Sequence, residues 1–158
     1  MNKLIFLLIL LPNLSFGQST ELYERTIENI KTSEEFTEFA EGRTTQLQVM
    51  PEVIPFWSIG FGFFDQLLKY TGTNYSNNNK GEIVERHELS NLSDKKKSKL
   101  KIYFSPIEND VVMAELAYAS SKNYYYNGIT NFGQSLVFLA KYQDGQLVEL
   151  IATERHNN

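Results

Sequence analysis

The 158-residue chain has no cysteine. That removes disulfides, thiol nucleophiles and thiolate metal sites together. Histidine is almost as scarce: His87 and His156 are the only two, so a transition-metal site would have to be completed by carboxylates. His87 lies among Glu82, Glu85 and Glu88, a composition that also describes an exposed charged segment. No G-x-S-x-G elbow and no phosphate-cradling glycine loop occurs, which argues against elbow-serine hydrolysis and nucleotide chemistry. Positive charge is also in deficit, with 15 Lys and Arg against 19 Asp and Glu. An acidic chain is a poor nucleic-acid partner, because phosphate backbones select basic stripes.

Long hydrophobic runs are missing too, with one informative exception. Leu4 to Leu11 (LIFLLILL) is apolar but far short of the roughly 20 residues that span a bilayer. Lys3 before it, Pro12 after it and the small residues Ser15 and Gly17 give the order of an export signal, cut before Gln18. The expectation is a signal peptide over residues 1–17 and one domain over 18–158, periplasmic or secreted. No cysteine follows the apolar run to take a lipid, so no stable membrane insertion is expected after cleavage. An exported domain without bridges points to a bacterial envelope rather than a eukaryotic secretory route. The sequons Asn74-Tyr75-Ser76 and Asn91-Leu92-Ser93 would matter only in the latter. Removal of residues 1–17 takes away one Lys and no acid, leaving 14 basic and 19 acidic residues and a net charge of −5. The remaining chain of about 140 residues suits a single core.

What is present begins with two short amphipathic helices. Ser19 or Thr20 can cap the first, where Tyr23, Ile27 and Ile30 make one apolar stripe. Thr32 followed by Glu35 has the capping-box spacing for the second, with Phe36, Phe39 and Ala40 on one side and Gly42 as the stop. Thr45 to Val49 alternates like a half-buried strand until Pro51 and Pro55. Phe56 to Thr71 fits strand and helix at once, and Leu67, Leu68 and Gly72 favour a helix in its second half. Thr73 to Gly81 is a loop by composition, and Glu82 to Leu89 fits either helix or strand. Lys95, Lys96, Lys97, Lys99 and Lys101 read as a solvated run leading into an edge strand.

The C-terminal third is strand-like. Leu100 to Phe104 alternates as a strand with one wet face, and after a turn at Pro106 to Asp110 comes Val111 to Tyr118, apolar on both faces except for Glu115. Leu136 to Tyr142 and Leu147 to Thr153 flank Asp144-Gly145, the pattern of a two-residue type I′ hairpin. Unbroken pairing from that turn sets Tyr142 opposite Leu147, Ala140 opposite Glu149 and Phe138 opposite Ile151. The expected class is α+β, with N-terminal helices packed on a curved, C-terminal antiparallel sheet, an order compatible with a cone-like arrangement.

Two sets of residues are candidates for function. In Ser120 to Gly133 (SSKNYYYNGITNFG), Tyr124, Tyr125 and Tyr126 stand between Asn123 and Asn127 in a stretch that already has turn residues. Tyr, Ser, Asn and Gly are the residues of adaptable recognition surfaces. The leading expectation is therefore a binding module for a protein or glycan, non-enzymatic and without cofactor or metal. The alternative is a small cone-type enzyme or ligand pocket, in which Glu115, Glu149 or Asp65 acts as general acid or base beside Trp57, Phe56, Phe61, Phe63 and Phe64. Packing of the aromatics as core and wet-face placement of the carboxylates are the plainer readings. With so few metal-binding side chains, a chelator should leave the melting temperature unchanged, and a fall of several degrees would reveal a metal-dependent fold.

Overall fold

The computed structural model describes residues 14–77, 81–119, 126 and 133–157. The helix α1 (Leu14–Lys31) begins earlier than Ser19 or Thr20, which lie inside it, and the expected cut before Gln18 falls within it. The apolar stripe packs as its spacing requires: Tyr23, Ile27 and Ile30 are all buried. Helix α2 (Glu34–Phe39) is capped by Ser33, whose hydroxyl accepts the Phe36 N–H at 3.2 Å. Thr32 does not take that place, because its hydroxyl turns back to donate to the Asn29 carbonyl at the end of α1.

Strand β1 (Leu47–Val53) continues through Pro51, where the sequence suggested an interruption. The register against the next strand shifts between Val49 and Val53, and such an irregularity accommodates a residue that has no N–H to give. The Pro51 carbonyl still accepts from the Arg86 N–H at 2.7 Å. Short helices α3 (Phe56–Ile59) and α4 (Phe64–Thr71) follow, the second ended by Gly72 in the left-handed conformation. Their junction is tight: a Cβ on Gly60 would lie 2.4 Å from the Phe56 carbonyl oxygen and 2.6 Å from Leu67 Cδ1. Glu82 to Leu89 resolves into the two-residue strand β2 (Val84–Glu85) and the start of a 3₁₀ segment over His87–Leu92.

Strands β3 (Leu100–Phe104), β4 (Val111–Tyr118), β5 (Gly133–Gln143) and β6 (Gln146–Asn157) complete a six-stranded sheet of order β2-β1-β3-β4-β5-β6. The class is α+β, and the sheet is mixed rather than wholly antiparallel, because β1 pairs parallel with β3. Between β3 and β4 the chain turns on Asn109 and Asp110, both at positive φ, with Glu108 and Val111 exchanging backbone hydrogen bonds.

Both faces of the sheet are covered. On one, α1 and α2 pack Tyr23, Ile30 and Phe36 against Leu100, Ile102, Phe104, Leu116 and Phe138. On the other, Phe56, Ile59, Phe63 and Leu67 of the α3–α4 region pack against Tyr103, Met113, Val137 and Leu139. This second layer overturns the expected wet face of β3, where Lys101 and Tyr103 are both buried. Lys101 thus leaves the solvated run, while Lys95, Lys96, Lys97 and Lys99 remain exposed. Of the aromatic group, Phe56 and Phe63 are core, whereas Phe61 is 64% exposed and meets Phe64 edge-on. Burying a Val, Leu or Met side chain is worth roughly 1.5–3 kcal/mol. The fully buried Val111, Val112, Met113 and Leu116 therefore make β4 a principal contributor to the core.

The β5–β6 hairpin turns on Asp144 and Gly145, both at positive φ, and Tyr142 faces Leu147 as expected. A bulge then shifts the register by one, so Ala140 faces Leu150 instead of Glu149, and Phe138 faces Ala152 instead of Ile151. Since successive strand residues alternate faces, this slip turns every later β6 side chain to the opposite face from the unbroken pairing. Replacing Gly145 with Val should destabilise the fold by about 1 kcal/mol or more, through strain at positive φ and a Cβ placed 3.0 Å from the Arg25 guanidinium that bonds the Gly145 carbonyl. An unchanged denaturant midpoint would contradict this account of the turn.

Candidate functional site

On the face covered by α3 and α4, β4 carries Val111, Met113, Glu115 and Ala117, and Glu115 alone of these is polar. Its side chain is completely buried, flanked by Tyr103 of β3 and Val137 of β5. A carboxyl group in such a place persists only with hydrogen-bonding partners. The Tyr126 hydroxyl donates to one oxygen at 2.6 Å, and the Ser135 hydroxyl donates to the other at 2.6 Å. The Arg155 guanidinium stands 3.7 Å away, itself mostly buried, with a further contact to the Ser58 carbonyl. The cluster therefore draws on β4, β5, β6, the α3 helix and Tyr126.

The Tyr126 ring is buried edge-on against Tyr103, centroids 5.2 Å apart. Burial pushes the Tyr126 hydroxyl well above its ordinary pKa, and the Glu115 carboxylate adds to that rise through its charge and its hydrogen bond. The hydroxyl is thereby held in its protonated, donating form. Tyr103 is raised in the same way, by burial first and then by the charges of Glu52 and Glu115. Its buried hydroxyl has no hydrogen-bond partner among the described residues, and neither has Oε2 of Glu52.

Next to this centre lies a second polar group. Lys101 is 3% exposed and donates to Gln48 Oε1 at 2.8 Å. Burial lowers its pKa and the charge of Glu52 works against that lowering. Glu52 is raised chiefly by burial, with a contribution from Glu85 directly opposite on β2. The sheet face thus holds a carboxyl group with two hydroxyl donors and a nearby guanidinium, bordered by a buried ammonium and a second carboxyl group.

No family model, curated protein or solved structure matches the chain.

Of the recognition residues expected from sequence, Tyr126 lies in the cluster, while Asn123, Tyr124, Tyr125 and Asn127 are outside the described residues. The three expected carboxylates are not brought together. Glu115 is enclosed, Glu149 is half-buried and accepts from the Tyr70 hydroxyl, and Asp65 is exposed at the start of α4. His87 and His156 are exposed, each beside one glutamate at 3.3 Å. Among the described residues, no three metal-binding side chains converge.

Ser135, Arg155, Lys101, Glu52 and Tyr103 were not anticipated as site residues. Ser135 faces Arg155 on β6, a pairing that extension of the hairpin from its turn would have missed by one residue because of the bulge. A separate cleft of about 340 Å³ opens on the other side of the sheet, lined by Tyr23, Val53, Val84, Arg86, Pro106 and Ile107. Its polar components are engaged: Tyr23 donates to the Ser105 carbonyl at 2.8 Å, and Arg86 bonds Glu88 at 2.7 Å. Burial carries the Tyr23 hydroxyl up to about 12 despite the opposing charge of Arg86.

If Glu115 is what holds this face together, Glu115→Leu should cost about 2–5 kcal/mol, because two buried hydroxyls lose their acceptor and a guanidinium loses its counter-charge. Glu115→Gln, which keeps one acceptor oxygen, should cost less. Denaturant melts of both variants provide the check, and equal, negligible losses would refute the role.

Proposed function

We propose that this chain is an exported binding module of the periplasm or extracellular space, non-enzymatic, with a protein or glycan as its partner. Its recognition surface includes the Tyr-rich stretch 120–133. The observation that carries this reading is the position of Tyr126, whose ring is buried in the sheet face and whose hydroxyl is fixed to Glu115. A side chain from the middle of the stretch thereby ties it to a fully buried interior strand of the sheet. An anchored segment loses less entropy on binding than a free one. Tyr124 and Tyr125 supply ring area and hydroxyls at low entropic cost, and Asn123 and Asn127 supply paired donors and acceptors.

The alternative, a carboxylate-based enzyme or ligand pocket, has weaker support. Glu115 is occupied by Tyr126, Ser135 and Arg155, and Glu149 and Asp65 lie apart from it with different surroundings. Neither the cleft lined by Tyr23 and Arg86 nor the one lined by Glu35 and Glu154 includes any of the three.

Single alanine variants distinguish the roles. Tyr126→Ala should lower stability by on the order of 3 kcal/mol, as loss of a buried ring does. Tyr124→Ala and Tyr125→Ala should each cost under about 0.5 kcal/mol in stability while weakening partner binding by more than about 1 kcal/mol. Denaturant melts give the first quantity; glycan-array binding and pull-down from envelope extract give the second. Variants that all lose stability and none of which loses a partner would make the stretch a structural cover and end this reading.

A further inference from the structure

The two edges of the sheet are treated differently. At one, β2 is two residues long, both exposed, so little ladder is open to pairing. At the other, β6 runs for 12 residues from Gln146 to Asn157 with no proline, glycine or lysine in it. Natural sheets usually blunt an edge of that length with proline, bulges or charge, above all lysine; the charges here, Glu149, Glu154 and Arg155, are of both signs, so they can pair across the edge as well as repel. The one irregularity here, the register shift at Lys141/Tyr142, sits at the hairpin end and leaves the strand regular from Glu149 onward. Among the described residues no strand pairs with its outer side.

We propose that this edge binds a second copy of the same chain, β6 against β6 in antiparallel pairing, with the two-fold axis at Ala152. The charge pattern selects the partner and the register. With Ala152 opposite its own copy, Glu149 lies opposite Arg155 of the second copy, and the symmetric pair repeats the contact. Both residues belong to the face carrying α3 and α4, where Glu149 meets Tyr70 and Arg155 meets Ser58, so each pair would form between side chains already oriented. Opposite charges directly across a ladder stabilise it. Moving the axis to Ile151 sets Glu149 against Thr153 and Arg155 against Leu147. Moving it to Thr153 sets Arg155 against Ile151. An axis at Glu154 opposes two like charges. Only the Ala152 axis in this set satisfies both residues, and it joins two six-stranded sheets into one continuous sheet of closed symmetry.

The cysteine-free chain allows a direct test on the secreted form. In this register the two copies of residue 152 have Cα atoms about 4.5–5.5 Å apart, which a disulfide spans. The two copies of residue 148 would be eight residues apart along the ladder, about 27 Å, beyond any disulfide. Sedimentation equilibrium of the unaltered protein should show dimer at about 10 µM. Oxidised glutathione should cross-link Ala152→Cys to covalent dimer and leave Val148→Cys monomeric, with both variants melting close to the parent. A parent that stays monomeric to about 100 µM overturns the proposal. So does cross-linking of the two variants to the same extent, since the copies would then meet elsewhere or in another register.

Discussion

Everything in this fold is arranged around a strand with no solvent-facing side. From Val111 to Ala117, each β4 residue is buried, because α1 and α2 cover one face of the sheet and α3 and α4 cover the other. Six of those seven residues are apolar and pack without further requirement. The seventh, Glu115, imposes conditions on three other parts of the chain, which must bring Tyr126, Ser135 and Arg155 to it. Burying a carboxyl group without partners costs several kcal/mol, so the placement of those residues is a condition of folding as well as a feature of the site.

Much of the scaffold was legible. The stripe of Tyr23, Ile27 and Ile30 and the Gly72 stop each follow from local rules, and the structure places them as those rules require. The apolar run of β4 and the Asp144-Gly145 turn belong to the same class of signal. What these have in common is that a few consecutive residues carry the whole signal. The capping residue of α2 was missed by one position because Thr32 and Ser33 are both competent caps, and the choice depends on how α1 ends.

The site was less legible because its signals are not local. Alternation in β3 is chemically the pattern of a half-wet strand, and nothing within those five residues reveals that a segment some thirty to forty residues earlier packs in one cluster with Tyr103. The bulge beyond the hairpin is a single extra residue with no compositional mark. Its effect on the site is large: pairing carried unbroken from the turn would set Glu154 opposite Ser135, whereas the observed register sets Arg155 there. One residue of slip exchanges a carboxylate for a guanidinium beside Glu115, which turns a repulsive arrangement into a tolerable one.

The two faces of the sheet carry different polar loads, and this asymmetry bears on function. Between the sheet and α1 and α2, the buried strand residues are aliphatic or aromatic, and the polar groups present, such as Thr26 and the Tyr142 hydroxyl, pair with each other at 2.9 Å. Between the sheet and α3 and α4 lie Glu115, Lys101, Glu52 and Tyr103, with the Tyr103 hydroxyl and one Glu52 oxygen left without hydrogen bonds among the described residues. Each such orphan costs about 1–3 kcal/mol relative to a paired group. Apolar residues of similar volume would fill the same space at lower cost, as the first face demonstrates within the same molecule. The polar chemistry of the second face is thus the more demanding of the two to accommodate. That face also receives Tyr126, the one described residue from the middle of the Tyr-rich stretch, so the polar cluster and this residue meet at the same place on the sheet.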